Sequence, residues 1–243
     1  MNEIYLSDTL VIKQGLLYNQ SKLVKRHNWH LHLRSLGWEK LHRCWITKLN
    51  KLHNPYPTNS LFGSLECGDD GDCLFHCISA ALNVDQRQDT YYDNQDIRDK
   101  VADSITEDQF RDIISCYRCM KDINDFDEQW DPYDIHNLTE FQEQVRTSGH
   151  SYWGDYLLLQ LISQVFLINI FVLTQNEETD TYEEYPLAMT YNPNLSTVIL
   201  VHENESHFRL VGHFQGYMKQ IFTHLELPLE IKKLYNLSVL ENK

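Results

Sequence analysis

Val165-Phe166-Leu167-Ile168-Asn169-Ile170-Phe171-Val172-Leu173 is a nearly unbroken apolar run, rich in β-branched and aromatic side chains. With no polar face to turn toward water, such a run predicts a central strand covered on both sides. What covers it must be amphipathic. Upstream, Trp153 to Gln164 spaces Leu157, Leu158, Leu161 and Ile162 as the inward stripe of a helix. Downstream, Thr197 to His202 and Phe208 to Phe214 are apolar runs separated by Glu203-Asn204-Glu205-Ser206, which predicts an antiparallel hairpin with His207 opening its second arm. The fold class this implies is α/β (α+β), a small mixed sheet flanked by helices.

Further helices follow from spacing and capping chemistry. Leu74, Ile78, Ala81 and Leu82 recur at three- and four-residue steps, and Ile97, Val101 and Ile105 do the same in a helix ending near Ser104. Thr106-Glu107-Asp108-Gln109 has the form of a capping box and opens a third helix carrying Phe110, Ile113, Ile114 and Tyr117. Thr139-Glu140-Phe141-Gln142 is a second such box, opening a helix to about Arg146. Between these two, residues 121–138 read as a long surface loop and a candidate rim for substrate.

Residues 54–60, with two prolines and small polar side chains, divide a leader from the body. The resulting division is 1–59 as a basic, partly helical N-terminal extension, 60–215 as the main domain, and 216–243 as C-terminal helices split by Pro228 and packing on that domain. Within the leader, apolar runs on either side of Gly15 suggest strands. Trp38, Leu41, Trp45, Leu49 and Leu52 trace one face of a helix spanning 36–52, whose tryptophans are expected to pack against the body rather than on a membrane or nucleic acid.

Charge separates the segments further. Residues 1–60 hold nine Lys and Arg against three Asp and Glu, leaving 12 against 32 for the remainder. A body this acidic repels phosphates, so no nucleic-acid partner is expected, but it attracts a basic protein surface. No run approaches the roughly 18 apolar residues of a membrane span and no cleavable signal is evident, so a soluble, unprocessed chain is expected. Six scattered cysteines fit a reducing, cytoplasmic setting better than a disulfide framework. Neither His27, His30 and His32 nor Cys116 and Cys119 has the second set of ligands a zinc site needs, so no metal and no cofactor is expected.

The chemistry gathers in Gly68-Asp69-Asp70-Gly71-Asp72-Cys73-Leu74-Phe75-His76-Cys77, a glycine-jointed acidic loop that runs into a helix with Cys73 in its first turn. The positive end of a helix dipole favours negative charge on such a thiol. Taken alone, these residues leave two readings open: a reactive thiol or a small buried apolar side chain.

Asp70-Gly71-Asp72-Cys73-Leu74-Phe75 resembles the Asp-Gly-Asn-Cys-Leu-Phe signature of the OTU (ovarian tumour) family of cysteine deubiquitinases, with Asp72 in place of the usual Asn. Trp153-Gly154-Asp155 with the leucines after it resembles the family's Trp-Gly helix, and Glu205-Ser206-His207-Phe208-Arg209-Leu210-Val211 its catalytic-histidine strand. The three blocks stand in the family's order and span about 150 residues. The resemblance implies a papain-like cysteine protease fold with Cys73 as nucleophile, His207 as base, and ubiquitin, polyubiquitin or a ubiquitin-like modifier as partner, in a monomeric hydrolase of the ubiquitin pathway. A viral or bacterial member would work in the host cytoplasm.

In one respect the chain departs from the pattern. Many members place Asn or Asp two residues after the histidine, whereas this chain has Arg209, which offers no acceptor. Asp70 is the first alternative for orienting His207, with a loop-shaping role nearly as well supported; Asn54, Asn59 and Asn204 are the fallbacks. A feeble OTU-like module that only binds ubiquitin, and a thiol hydrolase of another peptide, are the rival functions. Of the other histidines, His76 and His202 read as structural, and His213 and His224 lie beyond the motif.

Overall fold

The central strand starts later than its apolar run. In the computed structural model, which describes residues 3–53, 60–68, 70–84, 90–126, 129–186 and 189–237, helix α7 (Tyr156–Phe166) carries through the first two residues of that run. Leu167 then turns with left-handed backbone, φ 51°, into strand β7 (Ile168–Asn176). β7 pairs in parallel with β9 (Ser196–Glu203) and antiparallel with β8 (Thr181–Glu184).

The rest of the sheet is antiparallel. β10 (His207–Phe214) pairs with β9 on one side and β6 (Phe62–Leu65) on the other, and β6 with β5 (Trp38–Lys40), giving the order β5-β6-β10-β9-β7-β8. Side chains alternate faces, as strand geometry requires. Ile168, Val172, Val198, Leu200, Phe208 and Leu210 pack with helices α3 (Cys73–Asn83), α4 (Asn94–Ser104), α5 (Glu107–Asp122), α6 (Leu138–Arg146) and α7. Phe171, Leu173, Ile199, Val201 and Val211 point the other way, against α2 (Arg43–His53) and α8 (Leu229–Leu234). The mixed sheet between helices is the architecture the apolar patterning predicts.

Residues 3–53 add a sheet of their own to the helices expected there. β1 (Ile4–Tyr5), β2 (Leu10–Lys13), β3 (Leu16–Asn19) and β4 (Lys22–Leu23) form an antiparallel meander, with β2 and β3 flanking Gly15 as the sequence suggests. Helix α1 (Trp29–Leu33) follows. The helix predicted over 36–52 starts only at Arg43. Gly37, at φ 85°, closes a 3-10 turn, and Trp38 then lies on β5, where pairing with β6 satisfies its backbone.

Trp38 and Trp45 are both buried, as their expected packing role requires. The sheet is carved to receive the leader: Gly63 and Gly212 are register partners, and a Cβ at Gly212 would lie 2.6 Å from Trp38 Cη2, while one at Gly63 would lie 2.7 Å from Trp29 Cη2. Two tryptophans thus cover the backbone at one glycine pair.

Two further boundaries differ from expectation. Ahead of Pro228 the tail holds strands rather than a helix: β11 (Met218–Lys219) pairs with β10, and β12 (Ile221–Phe222) takes Val198 and Thr197 of β9, where the pairing with β10 has ended. Open backbone groups on a sheet override a weak helical period. The box at Thr139 is displaced as well, because Asn137 Oδ1 accepts from Glu140 N at 3.0 Å and the helix begins at Leu138. The Thr106 box forms as read, and Asp93 with Asp96 makes another at the start of α4. Arg118 binds the carbonyls of Pro132 and Ile135, and Phe126 and Trp130 pack on Tyr117, so the loop expected as a rim is tied to the core of its own helices.

The Gly212–Trp38 contact leaves no room for a methyl group. Gly212→Ala is therefore expected to destabilise the fold by about 1–3 kcal/mol through overpacking, measured as a lower urea midpoint at unchanged slope.

Candidate active site

Cys73 is the first residue of α3, with Asp72 as the residue before it and His76 N donating to Asp72 O at 2.9 Å to begin the helical ladder. The backbone N–H groups of that first turn have no intrahelical acceptor and face outward from the helix start. Gly71 makes the tight approach possible: it stands at φ 83°, and a Cβ there would run into the Gly149 carbonyl. The thiol is 5% exposed, and Phe208 N donates to its Sγ at 3.4 Å, tying the helix start to the beginning of β10.

His207 opens β10, as the hairpin pattern predicts. Its Nε2 lies 2.9 Å from both carboxylate oxygens of Glu66, which follows β6, so Nδ1 is the nitrogen left for the thiol. The imidazole is pushed up to about 9. The Cys73 thiol beside the ring is the largest cause, the carboxylate of Glu66 adds to it, and burial opposes it. Cys73 and His207 are thus brought together, and a carboxylate sits on the far side of the ring.

That carboxylate comes from a residue to which sequence reasoning gave no role. Asp70 is exposed in the turn before the helix, and no described side chain hydrogen-bonds to its carboxylate. Asn204 Oδ1 accepts from Glu177 N at 3.0 Å in the β9–β10 turn and is engaged there rather than at the imidazole. Asn54 and Asn59 lie outside the described residues. Arg209 reaches neither the ring nor the thiol; its Nε is 3.6 Å from Glu66 Oε2. His202 hydrogen-bonds Tyr156 through Nδ1 at 2.7 Å and stacks on Phe208; burial pushes it down to about 4, with the nearby His207 adding to the effect. His76 packs against the backbone at Gly68.

A sequence-family model of OTU-like cysteine proteases matches residues 68–214. The chain belongs to that family. Among solved structures it is similar to an OTU domain in complex with ubiquitin, with 15% identity over 71% of this chain and 80% of the other and a TM-score of 0.44. An OTU deubiquitinase from Wolbachia pipientis wMel shares 16% identity over 75% and 99%, with a TM-score of 0.41. The Hazara virus OTU bound to ubiquitin shares 10% over 65% and 87%, with a TM-score of 0.39. No curated protein matches.

Within this OTU domain the loop that leads into Cys73 is pinned by charge. Asp72 and Arg98 are both buried and form an ion pair, with Arg98 Nε at 2.8 Å from Asp72 Oδ1 and Nη2 on the same oxygen. Gly149 N and Asn94 Nδ2 also donate to the Asp72 carboxylate, each at 3.1 Å. Arg98 then reaches on to Val145 O at 2.7 Å and Tyr152 O at 2.9 Å, with its guanidinium 4.0 Å from the Phe75 ring centroid. The signal for this was present in the sequence: Arg98 falls three and four residues before Val101 and Ala102, on the buried stripe of its helix.

Removing one partner of a buried ion pair strands the other. Arg98→Met is expected to lose about 3–5 kcal/mol of stability and Asp72→Asn distinctly less, since the amide oxygen still accepts from Gly149 N; urea denaturation of both variants measures the difference.

Proposed function

We propose that the protein is a cysteine isopeptidase that removes ubiquitin, or a ubiquitin-like modifier, from lysine side chains. The observation that carries this is the assembly of Cys73, His207 and Glu66 at one point inside an OTU domain. With its proton passed to His207, Cys73 Sγ attacks the isopeptide carbonyl carbon as the thiolate, and the oxyanion that forms is met by backbone N–H groups between Asp70 and Cys73. The His207 imidazolium gives its proton to the departing lysine amine, leaving a thioester. Neutral His207 then takes a proton from water, which attacks the thioester, frees the carboxyl group of the modifier and returns the Cys73 thiolate beside the His207 imidazolium. Glu66 holds Nε2–H throughout, so that Nδ1 faces the sulfur. Asp70 shapes the oxyanion loop in this reading and does not orient the base.

The acidic body favours encounter with a basic modifier surface. Residues 60–215 carry the reaction, with the described parts of the leader and tail, 3–53 and 216–237, packed upon them. No described helix is long and apolar enough to cross a membrane, and all six cysteines are free. The setting that suits these thiols is a reducing cytoplasm, in which the chain works as a monomer.

Ubiquitin bearing a C-terminal thiol-reactive warhead is expected to label the wild-type chain covalently and to leave Cys73→Ala unlabelled. Binding without labelling would favour the non-catalytic module, and labelling retained by Cys73→Ala would sink the assignment. Turnover of a fluorogenic ubiquitin amide is expected to fall about 100-fold in Glu66→Gln, on the scale of general acid–base contributions, and to change by no more than a few-fold in Asp70→Ala. The reverse ranking returns the orienting role to Asp70.

The pH profile has a fixed sign. Because the folded-state pKa of His207 is raised, its charged form persists through neutral pH and is lost as pH climbs through about 9. The alkaline limb of kcat/KM is expected there, and removing a charge that favours the imidazolium, as in Glu66→Gln, is expected to move that limb to lower pH.

A further inference from the structure

Four neighbouring strands deliver charge to one spot behind the catalytic base. Glu39 lies on β5, Glu66 follows β6, Arg209 lies on β10 and Glu203 ends β9. The register explains why they meet. Leu210 pairs with Leu65 and Val211 with Ser64, so one further step sets Glu66 across from Arg209 and diagonal to His207. On the other side His207 pairs with Glu203 and Arg209 with Val201, which makes Glu203 the diagonal neighbour of Arg209. Direct and diagonal partners on one face are within reach of long side chains.

Arg209 answers all three acids at once. Its Nε is 3.6 Å from Glu66 Oε2, Nη2 is 3.6 Å from Glu39 Oε2 and Nη1 is 3.8 Å from Glu203 Oε1. The side chain is 16% exposed and its Nε makes no hydrogen bond among the described residues, so the guanidinium stands as a shared counter-ion and not as a fork clamped to one carboxylate. Burial holds the Glu203 carboxyl above its ordinary value, and Arg209 is the largest influence in the opposite direction. Gly68 N donates to Glu66 Oε1 at 3.2 Å and Gln175 Nε2 to Glu203 Oε1 at 3.0 Å, but neither donor is charged, so without the guanidinium three carboxylates converge with His207 as their one cation among the described residues.

We infer that Arg209 is a positioning residue for the hydrolysis: its guanidinium cancels the repulsion of Glu39 and Glu203 and so holds the Glu66 carboxylate on Nε2 of His207. It touches neither the thiol nor the scissile bond and acts through Glu66. The arrangement accounts for a cation at the position two residues after the base. His207 and Arg209 share a face of β10, and with the acceptor arriving from the neighbouring strand, the place beside it is filled by the acceptor's counter-ion. The inference rests on the isopeptidase reading of Cys73 and His207.

Arg209→Met, Arg209→Gln and Arg209→Lys are compared with wild type on a fluorogenic ubiquitin amide, each variant being checked for folding by circular dichroism and thermal melting. Arg209→Met and Arg209→Gln are expected to lower kcat at least tenfold with KM within twofold, and Arg209→Lys to recover most of the loss. In a Glu66→Gln background the same replacements are expected to add less than a twofold loss, because the residue through which Arg209 acts is already gone. An unchanged kcat in folded Arg209→Met, or an equal loss in both backgrounds, overturns the inference.

A substrate-independent arm separates this from failure of the functional reading. If the wild-type chain turns over no ubiquitin substrate, that reading falls, and the rate of iodoacetamide alkylation at the Cys73 peptide, followed by mass spectrometry, still reports the assembly. It is expected to drop in Arg209→Met and in Glu66→Gln without further loss in the double variant. Alkylation unchanged in Arg209→Met overturns the inference on its own.

Discussion

The buried ion pair of Asp72 and Arg98 is the interaction on which the site depends. Taking two charges out of water is unfavourable, and the pair is tolerable only where the remaining hydrogen-bonding capacity is met. Here it is met by four residues on three pieces of chain: Asn94 at the start of α4, Val145 near the end of α6, and Gly149 and Tyr152 in the segment leading to α7. Each of these must be in place for the charges to be satisfied, so the pair enforces the arrangement of the helical layer. Asp72 is also the residue before Cys73. Cys73 inherits its position from this network, and an acid in place of the family's Asn is coherent with an arginine fully buried beside it.

The other half of the site is ruled by the sheet. His207 begins β10, Glu66 ends the path of β6, and their meeting follows from how those strands are paired. The same register brings Gly63 against Gly212, where Trp29 and Trp38 close over the backbone. A slip of one residue would turn each side chain of a strand to the opposite face. It would remove Glu66 from the imidazole and drive Cβ atoms into the tryptophans together, so the packing of the leader and the geometry of the base are guarded by one constraint.

Much of this was readable before the fold. Cys73 at a helix start and His207 at the head of a hairpin arm both follow from local pattern, and the central strand, the Thr106 capping box and the flanking helices follow from period and cap chemistry. What escaped was non-local. Phe62-Gly63-Ser64-Leu65 is a short strand with two small residues and no clear alternation, so nothing marked it as the partner of β10 or marked Glu66 as the residue across from Arg209. Trp38 fell into a helical period by coincidence, although Gly37 beside it was a visible break. In the tail, Ile221 and Phe222 answer to backbone groups of β9 that no local pattern reveals.

The position of Arg209 also bears on why His207 is charged. A cation near an imidazole ordinarily opposes its protonation, and an arginine two residues away on the same strand face would be expected to push the ring down. The ring is instead raised to about 9. The balance of charge resolves this: the Cys73 thiol is the largest influence raising the ring, Glu66 adds to it from 2.9 Å at Nε2, and the guanidinium shares its charge among Glu66, Glu39 and Glu203. Seen from the imidazole, the cation is screened by the carboxylate it supports. The chemistry needs an anion at one nitrogen and a thiol at the other, and it is indifferent to which strand supplies the anion, provided that the charge left behind that anion is balanced.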